Sequence, residues 1–253
     1  MNRRQGLRFV VTAVSMVLTG AGFGADGGAV AVDTGKASVT AVSRLDQQWW
    51  ADRHAAKLAL VQQGGWDLVF IGDSITQGWE GAGRAVWDAH YGSRKALNLG
   101  YSGDRTEHVL WRIANGELDG LKPKVVVMMI GTNNGGHRKE ETPEAIADGI
   151  KAIIGSLQAK CPETRLLLLG IFPRAEAASA MRVRNDRANA LIAKFADGDK
   201  VVYLDINKSF LTDAGEIPRE IMPDLLHPKE KGYGLWAEAM EPELRRLLGE
   251  KTP

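Results

Sequence analysis

Trp66-Asp67-Leu68-Val69-Phe70-Ile71-Gly72-Asp73-Ser74-Ile75-Thr76 is the stretch around which the chain is organised. Leu68 to Ile71 is short, apolar throughout and rich in β-branched and aromatic residues, which predicts a buried strand. The run stops at Gly72-Asp73-Ser74. A serine at the carboxyl end of a buried parallel strand stands where open α/β sheets bind their ligands. The plainer alternative is that Asp73 or Ser74 only caps the next helix, which both residue types do well. The remaining segments decide between the two.

Working outward, apolar runs alternate with amphipathic ones. Strands are expected at Ala96 to Leu99, Val125 to Ile130, Leu166 to Ile171 and Val201 to Leu204. Helices are expected at Leu45 to Gln63, Arg105 to Asn115, Pro143 to Lys160, Met181 to Ala196 and Lys229 to Leu248. Thr142 is the expected cap of the helix that Pro143 begins. Strands apolar on both faces, separated by helices, imply a mostly parallel sheet covered on both sides. The fold class is therefore α/β, a single three-layer α/β/α domain over residues 45–250, with no internal repeat.

Composition excludes several classes. The 253 residues carry a formal charge of +1, with 44% hydrophobic and 25% charged residues, so nothing favours nucleic acid as a partner. Cys161 is the only cysteine and is expected to be structural, and no Cys/His cluster has metal-site spacing. Residues 1–31 have a basic start (Arg3, Arg4, Arg8), an apolar middle and small residues after it. That layout predicts a cleavable signal peptide and export, periplasmic or extracellular, with no stable membrane span. Residues 32–44 read as a linker.

Four strand-end loops have unusual content: Gly72-Asp73-Ser74; Asn98-Leu99-Gly100-Tyr101-Ser102-Gly103-Asp104; Gly131-Thr132-Asn133-Asn134-Gly135-Gly136-His137; and Asp224-Leu225-Leu226-His227-Pro228. Acyl transfer through a serine needs a base, a carboxylate to orient that base, and donors for the oxyanion. Asp224 and His227, three apart, can supply carboxylate and base from one turn. The backbone N–H groups of Ser74 and Gly103 and the amide of Asn133 are candidate oxyanion donors.

These blocks resemble those of the SGNH hydrolases, also called GDSL esterases and lipases. The resemblance spans Trp66 to Leu248 and is closest to the branch of the intracellular platelet-activating-factor acetylhydrolase catalytic subunits. Asn98-Leu99-Gly100, Ser102-Gly103-Asp104, His108 to Arg112, Asn115 to Leu118, Gly131 to Asn134 and Leu169 to Arg174 carry it. It implies a flavodoxin-like fold, Ser74 as nucleophile, His227 as base and Asp224 as the orienting acid. It also implies Gly103 and Asn133 as oxyanion residues and no cofactor. The expected function is a secreted serine esterase acting on short acyl esters, foremost acetyl, of sugars, lipids or small metabolites. The alternatives are a lysophospholipase or thioesterase, or a non-catalytic carbohydrate-binding module.

The other candidates carry plainer readings. His54, His90 and His108 are expected to be structural, and His137 to line the pocket rim. Asp104 is expected to cap the helix starting at Arg105 and Asp73 to hold the serine turn, while Asn134 forms a turn with Gly135. Arg174 either reaches an anionic substrate group or braces loops. Trp79, five residues after Ser74, is the candidate pocket wall.

Overall fold

The computed structural model describes residues 34–251. The signal peptide expected at 1–31 lies outside them. In chain order the elements are α1 (Thr34–Val39), α2 (Gln48–Gln63), β1 (Leu68–Gly72), α3 (Ser74–Gln77), α4 (Arg84–His90), β2 (Ala96–Gly100) and α5 (Thr106–Arg112). There follow β3 (Val125–Met129), α6 (Thr132–His137), α7 (Pro143–Lys160), β4 (Arg165–Leu169), α8 (Ala180–Ile192), β5 (Val201–Leu204) and α9 (Glu230–Leu248).

The five strands are parallel and ordered β2-β1-β3-β4-β5. Because side chains alternate across a strand, each strand feeds two cores. Val69 and Ile71 join Val126, Met128 and the inner faces of α5, α7 and α8 on one side. Leu68 and Phe70 join Val127, Leu167 and the inner face of α9 on the other. Each side chain of this kind, fully buried, contributes about 1.5–3 kcal/mol. The result is one α/β domain with both faces of the sheet covered. Thr142 caps α7 as expected, its Oγ1 accepting from Ala145 N–H at 3.1 Å. The order places β1 between β2 and β3, so the chain leaves β1 in opposite directions along the sheet. Such a switch point, beyond the carboxyl ends of the strands, is where open α/β sheets bind their ligands. Ser74 begins there.

Two expectations need correction. Residues 32–44 are not all linker, since α1 packs on α7 and α5. Six residues cannot hold a helix by local propensity. Here Ser38 does it: its carbonyl accepts from Thr106 Oγ1 at 2.9 Å, and its hydroxyl, bonded to Glu141, accepts from Asn134 Nδ2 at 3.2 Å. The helix expected over Arg105 to Asn115 also ends early, at Arg112, and gives way to a wider turn over Ile113–Glu117. That turn brings Glu117 back to Arg112, both buried.

Candidate active site

β1 delivers Ser74 without slack. Gly72 is required because a Cβ there would lie 2.1 Å from Thr76 Oγ1 and 2.5 Å from the Met129 carbonyl. Asp73 caps α3, its Oδ1 accepting from Ile75 N–H at 3.0 Å. The capping alternative is thus true of Asp73, and it leaves Ser74 with its hydroxyl free for chemistry.

The loop before α9 brings the other two groups. Asp224 Oδ1 accepts from the N–H groups of Leu226 at 3.0 Å and His227 at 2.8 Å, so the turn is wound about the carboxylate. Leu225 holds φ at 58°, a conformation that costs a non-glycine residue about 1–2 kcal/mol. His227 Nδ1 lies 2.6 Å from Asp224 Oδ2, and Nε2 lies 2.9 Å from Ser74 Oγ. Partial burial raises the Asp224 carboxyl, but the hydrogen bonds from His227 outweigh it and hold it below its ordinary value. With Asp224 ionised, Nδ1 carries the proton and donates to it. Nε2 is then the acceptor for the serine hydroxyl. Both side chains face solvent, 44% exposed for His227 and 54% for Asp224. Orientation of the carboxylate therefore comes from its hydrogen bonds and not from burial.

The Gly103 N–H donates to no acceptor among the described residues, as an oxyanion donor requires. The Ser74 N–H opens α3, where backbone donors have no partner within the helix. Asn133, nearly buried, gives one Nδ2 hydrogen to the Asp104 carbonyl at 3.0 Å, and its amide has a second to give. Asn134 is fully occupied: Oδ1 accepts from Thr106 N–H at 3.1 Å, and Nδ2 donates to Thr106 Oγ1 at 2.9 Å and to Ser38 Oγ. It fastens α5 and α1 to the loop, which is more than the turn expected of it.

Two other expectations change. Trp79 is fully buried, packed against Tyr91, Tyr233 and Trp236 in the α9-side core, so it does not wall the Ser74 site. Asp104 does not cap α5. Its carboxylate accepts from Arg112 Nε, Trp50 Nε1 and Arg44 Nη1, each at 2.9 Å. Arg174 gives Nη1 to the Thr132 carbonyl at 2.8 Å and hydroxyl at 3.1 Å, so this nitrogen braces the loop. His137 stands at the surface beside the Asn133 loop, and the partial desolvation of its ring, with Arg105, Arg174, Arg44 and Arg138 nearby, lowers its pKa. His108 is structural as expected: burial and Arg105 push it to about 2, and its neutral Nδ1 accepts from Arg105 N–H at 3.0 Å.

Arg112 was not singled out by sequence reasoning, although it stands in a block that carries the resemblance. Fully buried over the Tyr101 ring, it donates to the carbonyls ending β1 (Gly72, 3.3 Å) and β2 (Leu99, 3.1 Å), and pairs with Asp104 and Glu117. Removing one partner from such a buried cluster typically costs about 3–5 kcal/mol. No three His, Cys, Asp or Glu side chains group for a metal among the described residues. A cavity of about 490 Å³ lined by Asp67, His90, Arg94 and Glu241 lies at the amino ends of the strands, far from this chemistry.

Asp73 adds a stability signature. Its Oδ2 is buried with no partner, and burial raises its pKa from 3.8 to about 7 despite the Ile75 N–H. A folded-state value above the unfolded one means that the folded chain binds the extra proton. Stability is then full below pH ~4 and declines as pH rises to about 7. Asp73→Asn removes this loss. Relative to the parent, the variant is expected to gain stability progressively over that window, reaching ~4 kcal/mol at neutral pH. Urea unfolding at several pH values measures it; a difference that does not grow with pH refutes the assignment.

A serine hydrogen-bonded to a histidine at the switch point of a five-stranded parallel sheet defines an ester hydrolase of the flavodoxin-like type. The chain belongs to the GDSL-like lipase/acylhydrolase family, whose profile matches residues 70–235. It is 38% identical over 183 residues to bovine platelet-activating factor acetylhydrolase IB subunit alpha1, covering 72% of this chain and 76% of that one. The alpha2 subunit of Rattus norvegicus is 37% identical over 191 residues, covering 74% and 79%. The fold is shared with a GDSL-like lipase of Bacteroides thetaiotaomicron (TM-score 0.62, 18% identity, 77% of this chain and 97% of that one). An acetylxylan esterase of Geobacillus stearothermophilus shares it too (TM-score 0.57, 19% identity, 74% and 96%). The chain is accordingly a carboxylic ester hydrolase. The expectation of export is corrected by these relatives, which are platelet-activating factor acetylhydrolase IB subunits, and the chain is not assigned to an exported compartment. No helix among the described residues is long and apolar enough to cross a membrane.

Proposed function

We propose that this esterase removes short acyl groups, acetyl foremost, from esters of carbohydrates, lipids or small metabolites through an acyl-enzyme on Ser74. The observation that carries the reading is the hydrogen-bonded chain from Ser74 Oγ through His227 to Asp224, at 2.9 and 2.6 Å. Ser74 Oγ attacks the ester carbonyl carbon while His227 Nε2 takes its proton. The carbonyl oxygen becomes the oxyanion and meets the N–H groups of Ser74 and Gly103 and the Asn133 amide. The tetrahedral adduct collapses, the C–O bond to the alcohol breaks, and the imidazolium returns the proton to the leaving oxygen. Water, deprotonated by the same imidazole, then releases the acid and restores Ser74. Asp224 holds Nδ1–H throughout and stabilises the transient imidazolium.

The acetyl preference is supported by relatives named as acetylhydrolase subunits, which have more than a third of their aligned residues in common with this chain. The exposed His227 and Asp224 leave the alcohol side open to solvent, with His137 proposed at its border. Nitrophenyl esters from acetyl to palmitoyl test the reading. The expected result is a kcat/KM highest for acetyl and falling with chain length. A maximum at long chains would replace it with the lysophospholipase or thioesterase alternative.

A further inference from the structure

Arg44 stands in the segment read as a linker, outside the four loops that carry the chemistry. It ends a strap that begins at α1 and is fastened along its length. Ser38 is bound to Thr106, Asn134 and Glu141, and the Val42 N–H donates to the Glu107 carbonyl at 3.1 Å. At the end of the strap, Arg44 Nη1 donates to the Ser102 carbonyl at 2.7 Å and to Asp104 Oδ1 at 2.9 Å. Nη2 donates to Gln47 Oε1 at 2.9 Å, and the guanidinium lies 5.1 Å over the Trp49 ring. The side chain is 16% exposed, so most of it is enclosed by these contacts.

The Ser102 carbonyl and the Gly103 N–H are two ends of one peptide unit. The unit is planar, and no peptide bond described is cis, so the two groups point in opposite directions. Holding the oxygen therefore aims the hydrogen. Gly103, with φ at 72°, would otherwise give this unit wide freedom to swing. A Cβ on Gly103 would sit 3.3 Å from Arg44 Nη1, which shows how closely the guanidinium backs the loop. On the other side of Ser102, its N–H is fixed by Gln77 Oε1 at 2.7 Å. A cationic donor on the carbonyl also polarises the amide and makes its N–H a stronger donor.

We propose that Arg44 is a positioning residue of the oxyanion hole: by gripping the Ser102 carbonyl it aims the Gly103 N–H at the substrate's carbonyl oxygen. The proposal rests on the acyl-transfer reading above and extends the working site to the strap. Arg44 touches no reacting atom and acts through Gly103.

The test is steady-state kinetics of full-length Arg44→Ala and Arg44→Lys on nitrophenyl acetate, beside the parent and Ser74→Ala, with thermal melting of each. Outright loss of an oxyanion donor lowers kcat about a hundred- to a thousandfold, so a misaimed one is expected to cost about ten- to a hundredfold, with KM little changed. Arg44→Lys keeps the charge but lacks the planar second nitrogen that ties Gln47 while Nη1 holds Ser102 and Asp104, so it should recover only part of the loss. Millimolar guanidinium ion is expected to raise the rate of Arg44→Ala and leave Ser74→Ala inactive. A folded Arg44→Ala with the parent's kcat, while Ser74→Ala is dead, overturns this proposal alone. Equal losses in both Arg44 variants, with lowered melting and no response to guanidinium, mark a merely structural role and overturn it too. Activity in Ser74→Ala would instead overturn the reading beneath it.

Discussion

Ser74→Ala is expected to yield a folded chain whose turnover of acetyl esters falls by roughly a millionfold, as when a triad nucleophile is removed from a well-studied serine hydrolase. Folding is spared because the turn does not use the hydroxyl. Its backbone is held by Gly72, by the Asp73 cap and by the Gln77 N–H on the Asp73 carbonyl at 2.8 Å. The hydroxyl's partner is His227 Nε2, at 2.9 Å. Steady-state rates and a melting curve on the same preparation measure both halves. Near-parental turnover would refute Ser74 as nucleophile. A collapsed melting point would refute the claim that the turn is independent of the hydroxyl.

His227→Ala is expected to lose activity on the same scale, because without a base the serine keeps its proton. Asp224, held below its ordinary value by bonds from His227, keeps the imidazole oriented but cannot replace it as the base. Residues acting as one unit are strongly non-additive, so Ser74→Ala/His227→Ala together should be no worse than either alone. His108→Ala is the contrasting histidine change. It removes a neutral ring that accepts from the Arg105 N–H, so it should lower the melting point far more than it lowers turnover. A parental rate in His227→Ala, or losses that multiply in the double variant, would refute the base assignment.

The parts of the site legible in the sequence are those written in local spacing. Leu68 to Ile71 announces its strand by composition, and the abrupt Gly72-Asp73-Ser74 marks its end. Asp224 and His227 stand three apart, so one turn brings carboxylate and imidazole together. Asn133 was placed by resemblance, and the structure separates it from Asn134 through partners that lie far off in the chain, Thr106 and Ser38. Where contacts are long-range, the sequence was mute or misleading. Trp79 lies near Ser74 in number, yet Tyr233 and Trp236 of α9 draw it into the core. Asp104 stands where a helix cap belongs, but Arg112, Trp50 and Arg44 claim its carboxylate. No periodicity marks Thr34–Val39 as a helix, because α5, α7 and the Asn134 loop hold it in place.

The central claim is that the ester is cleaved by covalent attack of Ser74. The most direct measurement is mass spectrometry of the full chain after reaction with a small fluorophosphonate, followed by peptide mapping. The account predicts one phosphonyl group per chain on the peptide holding Ser74, loss of esterase activity in step with labelling, and no label on Ser74→Ala. Esterase activity that persists in fully labelled protein, or label and inactivation at another residue, would contradict it.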